Sequence, residues 1–320
     1  MRKSTSYWLL GLGLCLAVAL PAQQEQQYTQ FMYNKLAINP GYAGSRDAPC
    51  LTAIIRSQWL GLEGAPQTQL LSFNLPLLNK RIGVGLNLER NSISIFNRIT
   101  AEATYSYRVR LGRGTLGIGL QGSLRSINAN YTDERLQSSQ ALSLDNSIPD
   151  GDQNKLLGNF GAGLYYNTPN YYIGISAPRF LRNNIDFNDA EGILSREVPH
   201  FSIMGGFLFP LNETLDLQPQ LLVKYVDNAP LDADLNVTFI FTKKYMAGLT
   251  YRTGGSSISG VGESIDLLLG IHLLDDLLFG LSYDLTLTEI KDYSSGSVEA
   301  VLRYCFGTSE GEDIINPRFF

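Results

Sequence analysis

Ile99-Thr100-Ala101-Glu102-Ala103-Thr104-Tyr105-Ser106-Tyr107-Arg108-Val109-Arg110-Leu111 sets an apolar or aromatic residue at every odd position and a polar or charged one at every even position. Successive side chains of an extended chain point to opposite faces, so Ile99, Ala101, Ala103, Tyr105, Tyr107, Val109 and Leu111 share one face. Glu102, Arg108 and Arg110 share the other. Residues 82–89 repeat the pattern, with Ile82, Val84, Leu86 and Leu88 opposite Gly83, Gly85, Asn87 and Glu89. So do residues 264–273, with Ile265, Leu267 and Leu269 opposite Asp266, Leu268 and Gly270. A soluble antiparallel sheet also alternates. Length separates the cases: about ten residues suits a tilted membrane crossing, against about five or six for a globular strand.

Outward from this stretch, strands are predicted at 51–59, 67–75, 82–90, 99–111, 115–131, 156–167, 171–180, 200–210, 214–226, 232–242, 245–254, 264–274, 277–288 and 297–306. The intervening connections alternate. Those at 76–81, 112–114, 168–170, 211–213, 243–244 and 275–276 read as tight turns, and those at 60–66, 91–98, 132–155, 181–199, 227–231, 255–263 and 289–296 as longer loops. An even set of about fourteen strands with such lopsided connections predicts an all-β chain, a transmembrane antiparallel β-barrel of the outer membrane, with its short turns in the periplasm.

Charged residues make up 17% of the 320-residue chain, and its mean hydropathy is −0.04, as expected when half of each strand faces lipid and half a polar lumen. Met1-Arg2-Lys3, the apolar run 7–20 and the small Ala22 read as a secretory signal peptide over 1–22, with Ala19 an alternative cleavage site. The domains are then the signal at 1–22, an N-terminal segment at 23–49, the barrel at 50–306 and a periplasmic tail at 307–320. Segment 23–49 is polar and aromatic and broken by Pro40 and glycines, so it either plugs the lumen or lines the periplasmic rim. The net charge of −5 argues against nucleic-acid partners.

Beyond the signal, only Cys50 and Cys305 remain. A closed barrel makes the first and last strands neighbours, and strand parity turns both cysteines inward near the periplasmic rim. Either they form a disulfide across the seam, which the compartment permits, or they are two buried thiols. Parity also points Glu89, Glu102, Asp266, Asp284 and Glu299 inward, facing Arg108, Arg110, Arg125, Lys224 and Arg303. Among the runs Gly117/Gly119/Gly122 and Gly158/Gly161/Gly163, glycines on the inner face leave room in the lumen for larger neighbours or a plug. Aromatic residues gather at strand ends, among them Tyr165-Tyr166, Tyr171-Tyr172, Phe201, Phe207, Phe209, Tyr245, Tyr304 and Phe306, as expected of interfacial girdles.

No catalytic, cofactor-binding or metal-ligating pattern is evident. His200 and His272 lie in different strands without a nucleophile motif or metal-ligand spacing, and the glycine runs precede no helix. Asp145, Asp150 and Asp152 read as residues that solvate a long loop.

Gln30-Phe31-Met32-Tyr33-Asn34 with Asn39-Pro40-Gly41-Tyr42-Ala43-Gly44 resembles the opening of the PorP/SprF family of Bacteroidetes outer-membrane proteins. Arg56-Ser57-Gln58-Trp59-Leu60-Gly61-Leu62-Glu63-Gly64-Ala65-Pro66-Gln67-Thr68 is similar to its most recognisable stretch. Residues 161–167, 172–178, 218–225, 229–231, 248–252 and 283–284 continue the resemblance in order; Phe160 departs from it, where an aliphatic or smaller residue is expected. The resemblance implies a non-enzymatic barrel of the type IX secretion system, without cofactor or small-molecule substrate. Such a barrel supports export or surface attachment of cargo, such as a large adhesin of gliding bacteria, through the cargo's C-terminal secretion domain. Expected partners are that cargo, other type IX secretion components and the lipid bilayer. Asn39, Pro40, Tyr42, Gly44, Arg56, Trp59, Gly61, Gly64 and Pro66 are candidates for partner contact or for shaping the first outer hairpin. The architecture equally suits a channel or hydrophobic-solute transporter, and more remotely a membrane-embedded hydrolase.

Overall fold

The computed structural model describes residues 25–46, 48–133, 151–187, 196–227, 229–254 and 262–306. The expected signal peptide, the tail 307–320, Asp145 and Asp150 lie outside them. One antiparallel sheet contains β1 (Cys50–Ser57), β2 (Gln67–Leu77), β3 (Ile82–Ile93), β4 (Phe96–Leu111), β5 (Gly114–Asn130), β6 (Asp152–Asn167), β7 (Tyr171–Ala177) and β8 (His200–Phe207). It continues through β9 (Phe209–Pro210), β10 (Leu215–Val226), β11 (Asp232–Phe241), β12 (Tyr245–Arg252), β13 (Ser264–Leu274), β14 (Leu277–Thr286) and β15 (Ser297–Cys305). β8 and β9 both pair with β10 and are parted only by Leu208, so they form one stave. The sheet closes where β1 pairs with β15, from Cys50↔Cys305 to Ser57↔Val298, giving a fourteen-strand barrel. Closure pairs the backbone polar groups that lipid cannot satisfy, and this fold places the chain in the outer membrane.

The deciding stretch behaves as its alternation requires. Ile99, Ala103, Tyr105, Tyr107, Val109 and Leu111 are exposed on the outside of β4, while Glu102, Thr104, Ser106 and Arg108 are buried inside. Arg110 is a correction: it is exposed, because β4 runs past the end of the lumen to the periplasmic rim. Among the described residues no helix is long and apolar enough to cross a membrane.

Several boundaries differ from expectation. The 91–98 connection is not a loop: β3 and β4 stay paired to Ile93↔Phe96, and Ser94 at φ 51° starts the turn. Its polar cross-strand pairs, Asn91↔Arg98 and Ser92↔Asn97, extend the hairpin beyond the apolar band. β2 continues through Pro76, so the turn shrinks to 78–81, with Leu78, Asn79 and Lys80 all left-handed (φ 47°, 53° and 64°). β1 ends at Ser57, and Trp59 (φ 49°) turns the chain out of the sheet. β7 stops at Ala177 because Pro178 has no N–H to donate. The chain beyond it is held to β6 by the Phe180 N–H on the Phe160 carbonyl at 2.9 Å, and by the Asn159 Oδ1, which accepts from Phe180 and Leu181 at 3.0 and 2.9 Å.

Cys50 and Cys305 face each other across the β1–β15 seam with their sulfurs 2.08 Å apart. Near them the periplasmic end carries an aromatic belt. Ring centroids of Tyr166 and Tyr171 are 6.1 Å apart, Tyr171 and Phe207 5.8 Å, Phe207 and Phe209 5.9 Å, and Tyr304 and Phe306 4.8 Å. Tyr165 and Tyr172 do not join it. Their parity turns them into the lumen, where each is 1% exposed.

Candidate functional site: the plugged lumen and its outer mouth

Residues 25–46 lie within the barrel and are almost wholly buried. Their sequence has no helical or strand period, and Pro40 and the glycines limit it to three single 3-10 turns, Phe31–Tyr33, Lys35–Ala37 and Pro40–Tyr42. Asn39 fixes the last of these. Its Oδ1 accepts the Gly41 N–H at 2.8 Å, and its Nδ2 donates to the wall carbonyls of Leu164 at 3.0 Å and Ile175 at 3.3 Å. Phe31, Leu36 and Tyr42 complete an apolar core with Ile54, Leu222, Ile240 and Val301 of the wall. Tyr42 meets Tyr165 edge to face, centroids 5.2 Å apart. The wall yields space where glycines face inward: a Cβ on Gly119 would overlap the Pro40 carbonyl, and one on Gly83 the Ala43 carbonyl. Gly122 and Gly158 face lipid instead, so only part of each glycine run serves the plug.

The outer half of the plug is tied by buried charge. Glu299 accepts the Thr29 and Gln30 backbone N–H groups at 3.0 and 2.8 Å, orienting the turn as a cap would. Arg56 joins that carboxylate at 3.3 Å to Asp284 at 2.7 Å, and also donates to the Thr29 hydroxyl at 2.7 Å. Beside it Arg252 pairs with Asp234 at 2.6 Å, and Lys224 lies 3.3 and 3.2 Å from Asp232 and Asp234. Gln27 donates to Asp232 at 3.0 Å. On the opposite wall Glu25 pairs with Arg125 at 3.0 Å and Arg179 at 2.7 Å, and those arginines reach Glu197 at 2.9 Å and Glu102 at 2.7 Å. Tyr28 donates to Glu89. This is why the inward charges close the lumen: their partners include the plug as well as the facing wall.

Burial alone would push the Glu25 carboxyl up, but the Arg125 and Arg179 guanidiniums hold it well below the usual carboxylate range. Its contribution to plug docking is therefore present above the free carboxylate value near pH ~4.3 and is lost as pH falls through the lowered bound value. Hydrogen-exchange protection of residues 25–30, taken relative to the intrinsic rate at each pH and followed from pH 7 downward, should hold to about pH 4 and fall below it. Protection already lost at pH 6 would contradict this assignment.

The sequence-derived candidates divide between plug and mouth. Asn39, Pro40, Tyr42 and Gly44 pack inside, as does Arg56. Trp59, Gly61, Gly64 and Pro66 belong to the first outer loop, which is braced on both sides. Gln58 N–H bonds the Pro66 carbonyl at 2.9 Å, Ser94 N–H bonds Gly64 at 2.8 Å, and Leu60 exchanges bonds with Gly296 at 2.7 Å and Ser295 at 2.8 Å. Gly61 (φ 92°) has open space around it, so backbone conformation alone requires glycine there. Between this loop and the last one lies an outward-opening cavity of about 310 Å³, with Arg56, Arg252 and Asp284 in its floor and Trp59, Glu263 and Glu289 among its walls.

Glu25, Arg179, Glu197, Asp232, Asp234 and Arg252 were not among the predicted inward charges. Parity with Asn236 and Thr250 marks Asp232, Asp234 and Arg252 as lumenal, so that signal was present. Arg179 fell in the predicted strand 171–180, where parity with Tyr171, Ile173 and Ile175 points it outward; β7 instead ends at Ala177 and Arg179 is buried, while Glu197 lies in a loop that carried no signal. His200 opens β8 at the outer rim, where its Nε2 accepts the Glu25 N–H at 3.3 Å.

Among curated proteins nothing matches this chain. Of solved structures, the Acinetobacter baumannii outer membrane protein Omp33 is 8% identical at a TM-score of 0.47, the match covering 81% of this chain and 99% of that one. A deletion mutant of the monoaromatic hydrocarbon channel TodX is 12% identical at 0.49, covering 84% and 93%. The monoaromatic hydrocarbon channel CymD is 13% identical at 0.47, covering 86% and 91%. Residues 20–304 match the family described as type IX secretion system membrane protein PorP/SprF, and the chain belongs to that family.

Proposed function

We propose that this chain is a non-enzymatic docking barrel of type IX secretion. In this reading it supports export or surface attachment of specific cargo, such as a large adhesin of a gliding bacterium, by holding the cargo's C-terminal secretion domain at the outer face. The observation that supports it is the filled lumen, whose plug is bonded to the wall by Glu299, Arg56, Arg125 and Arg179. A barrel so closed suits docking better than conduction. The outer mouth is the natural contact, because its first loop is braced before a partner arrives, which lowers the ordering cost of binding. Glu263 and Glu289 on its wall favour a basic element of the partner.

A tagged pull-down from native outer membranes in mild detergent, with mass spectrometry of what co-purifies, tests this. A large secreted protein retained through its C-terminal domain is expected, and its recovery should fall with the double variant Glu263→Lys/Glu289→Lys. A partnerless barrel that conducts ions in planar bilayers would favour the alternative, an outer-membrane channel or hydrophobic-solute transporter.

A further inference from the structure

The periplasmic rim carries a charged arc that docking at the outer mouth does not use. The turn 78–81 joins β2 to β3, and the turn 112–113 joins β4 to β5. β3 and β4 are paired, and the Arg108 N–H donates to the Arg81 carbonyl at 2.8 Å, so the two turns adjoin. Together they expose Lys80, Arg81, Arg110 and Arg113. The neighbouring Arg108 side chain turns inward to the Gly44 and Lys80 carbonyls. No acidic residue occurs in 74–84 or 105–117, and Arg81, Arg110 and Arg113 enter no ion pair among the described residues.

The setting of these cations is apolar. Val109 and Leu111 face lipid on β4, Arg113 follows them in the turn, and Leu78 is 70% exposed beside Lys80 and Arg81; Arg110, exposed at the rim, leaves β4 on the opposite face. Tyr166 of the aromatic belt donates to the Leu111 carbonyl at 3.0 Å, which puts the arc at belt height. That is the level of phospholipid headgroups, where an anion meets cations beside apolar side chains. A soluble acidic partner would have no use for Leu78, Val109 and Leu111, whereas acyl chains would cover them. Guanidinium forks also match the two-oxygen geometry of a phosphate.

We infer that this arc binds the phosphate of an anionic phospholipid in the inner leaflet, with the turn residues Arg81 and Arg113 as its ligands, Arg110 adding positive charge from the other face of β4, and the acyl chains lying over Leu78, Val109 and Leu111. The site anchors the plug-bearing wall to the membrane, since Arg108 in the same pair of strands holds Gly44.

The test is native mass spectrometry of the full chain in micelles doped with dioleoyl phosphatidylglycerol or dioleoyl phosphatidylcholine. Each surface cation is worth about fivefold in binding to anionic lipid, so the wild type should retain phosphatidylglycerol at least about tenfold better than phosphatidylcholine. The triple variant Arg81→Gln/Arg110→Gln/Arg113→Gln should lose that preference. Lys243→Gln/Lys244→Gln, in the turn between β11 and β12 on the opposite wall, should keep it. A heat-modifiability gel establishes that each variant is a folded barrel. Equal retention of the two lipids by the wild type, or a preference unchanged in the triple variant, overturns the inference. So does displacement of phosphatidylglycerol by millimolar inorganic phosphate, which would make the arc a free-anion site.

Discussion

Arg56→Ala is expected to release the outer half of the plug and to lower barrel stability by about 3–5 kcal/mol. Arg56 is 2% exposed and touches Asp284, Glu299 and Thr29 at once. Removing it leaves two buried carboxylates facing each other, and among the described residues Arg252, 4.0 Å from Asp284, is the cation that remains beside them. An unpaired charge in such a site costs more than the intact pair contributes, so the loss exceeds that of a surface bridge. Two readouts should move together: the temperature at which the gel-shifted folded band disappears, and protease or exchange protection of residues 25–36. Arg56→Ala/Glu299→Gln should recover part of the loss, because one of the stranded charges is gone. Unchanged plug protection in the single variant would show that the network is incidental to docking.

Cys50→Ser should have an effect of comparable size. The two cysteines are 255 residues apart in sequence, so a bond between them closes nearly the whole barrel into one loop. Chain-entropy reasoning gives about 5 kcal/mol for a loop of that length, as an upper figure. The variant should still form a barrel, since the β1–β15 ladder runs from Cys50↔Cys305 to Ser57↔Val298 without it, but should unfold at lower urea. Unfolded wild type should migrate faster without reductant than with it. Equal migration, with both thiols open to labelling, would mean that the bond does not form.

Much of this was legible in the chain. The alternation 99–111 specifies which atoms face lipid and which face inward, because strand periodicity is local and lipid and lumen differ sharply in polarity. Closure of an even set of strands then makes Cys50 and Cys305 neighbours without any knowledge of their contacts. Parity, applied consistently, would also have placed Tyr165, Tyr172, Asp234 and Arg252 inside; the girdle expectation for the two tyrosines failed because it used position along the strand and ignored the face. The 91–98 turn was missed for another reason: it lacks the Gly or Pro that usually marks a hairpin, and Ser94 adopts the left-handed conformation instead.

By itself, then, the sequence determined the barrel, its outer-membrane setting, its family and the inside and outside of each regular strand. Only the tertiary structure decided that residues 25–46 fill the lumen and what holds them there. The Thr29 N–H and Glu299 are 270 residues apart, and the Pro40 backbone fits against Gly119 of β5 while the Asn39 side chain fits against Gly163 of β6. Such contacts leave no period to read. They arise when closure brings distant strands around a segment with no regular pattern of its own, and shape and buried charge then select one arrangement.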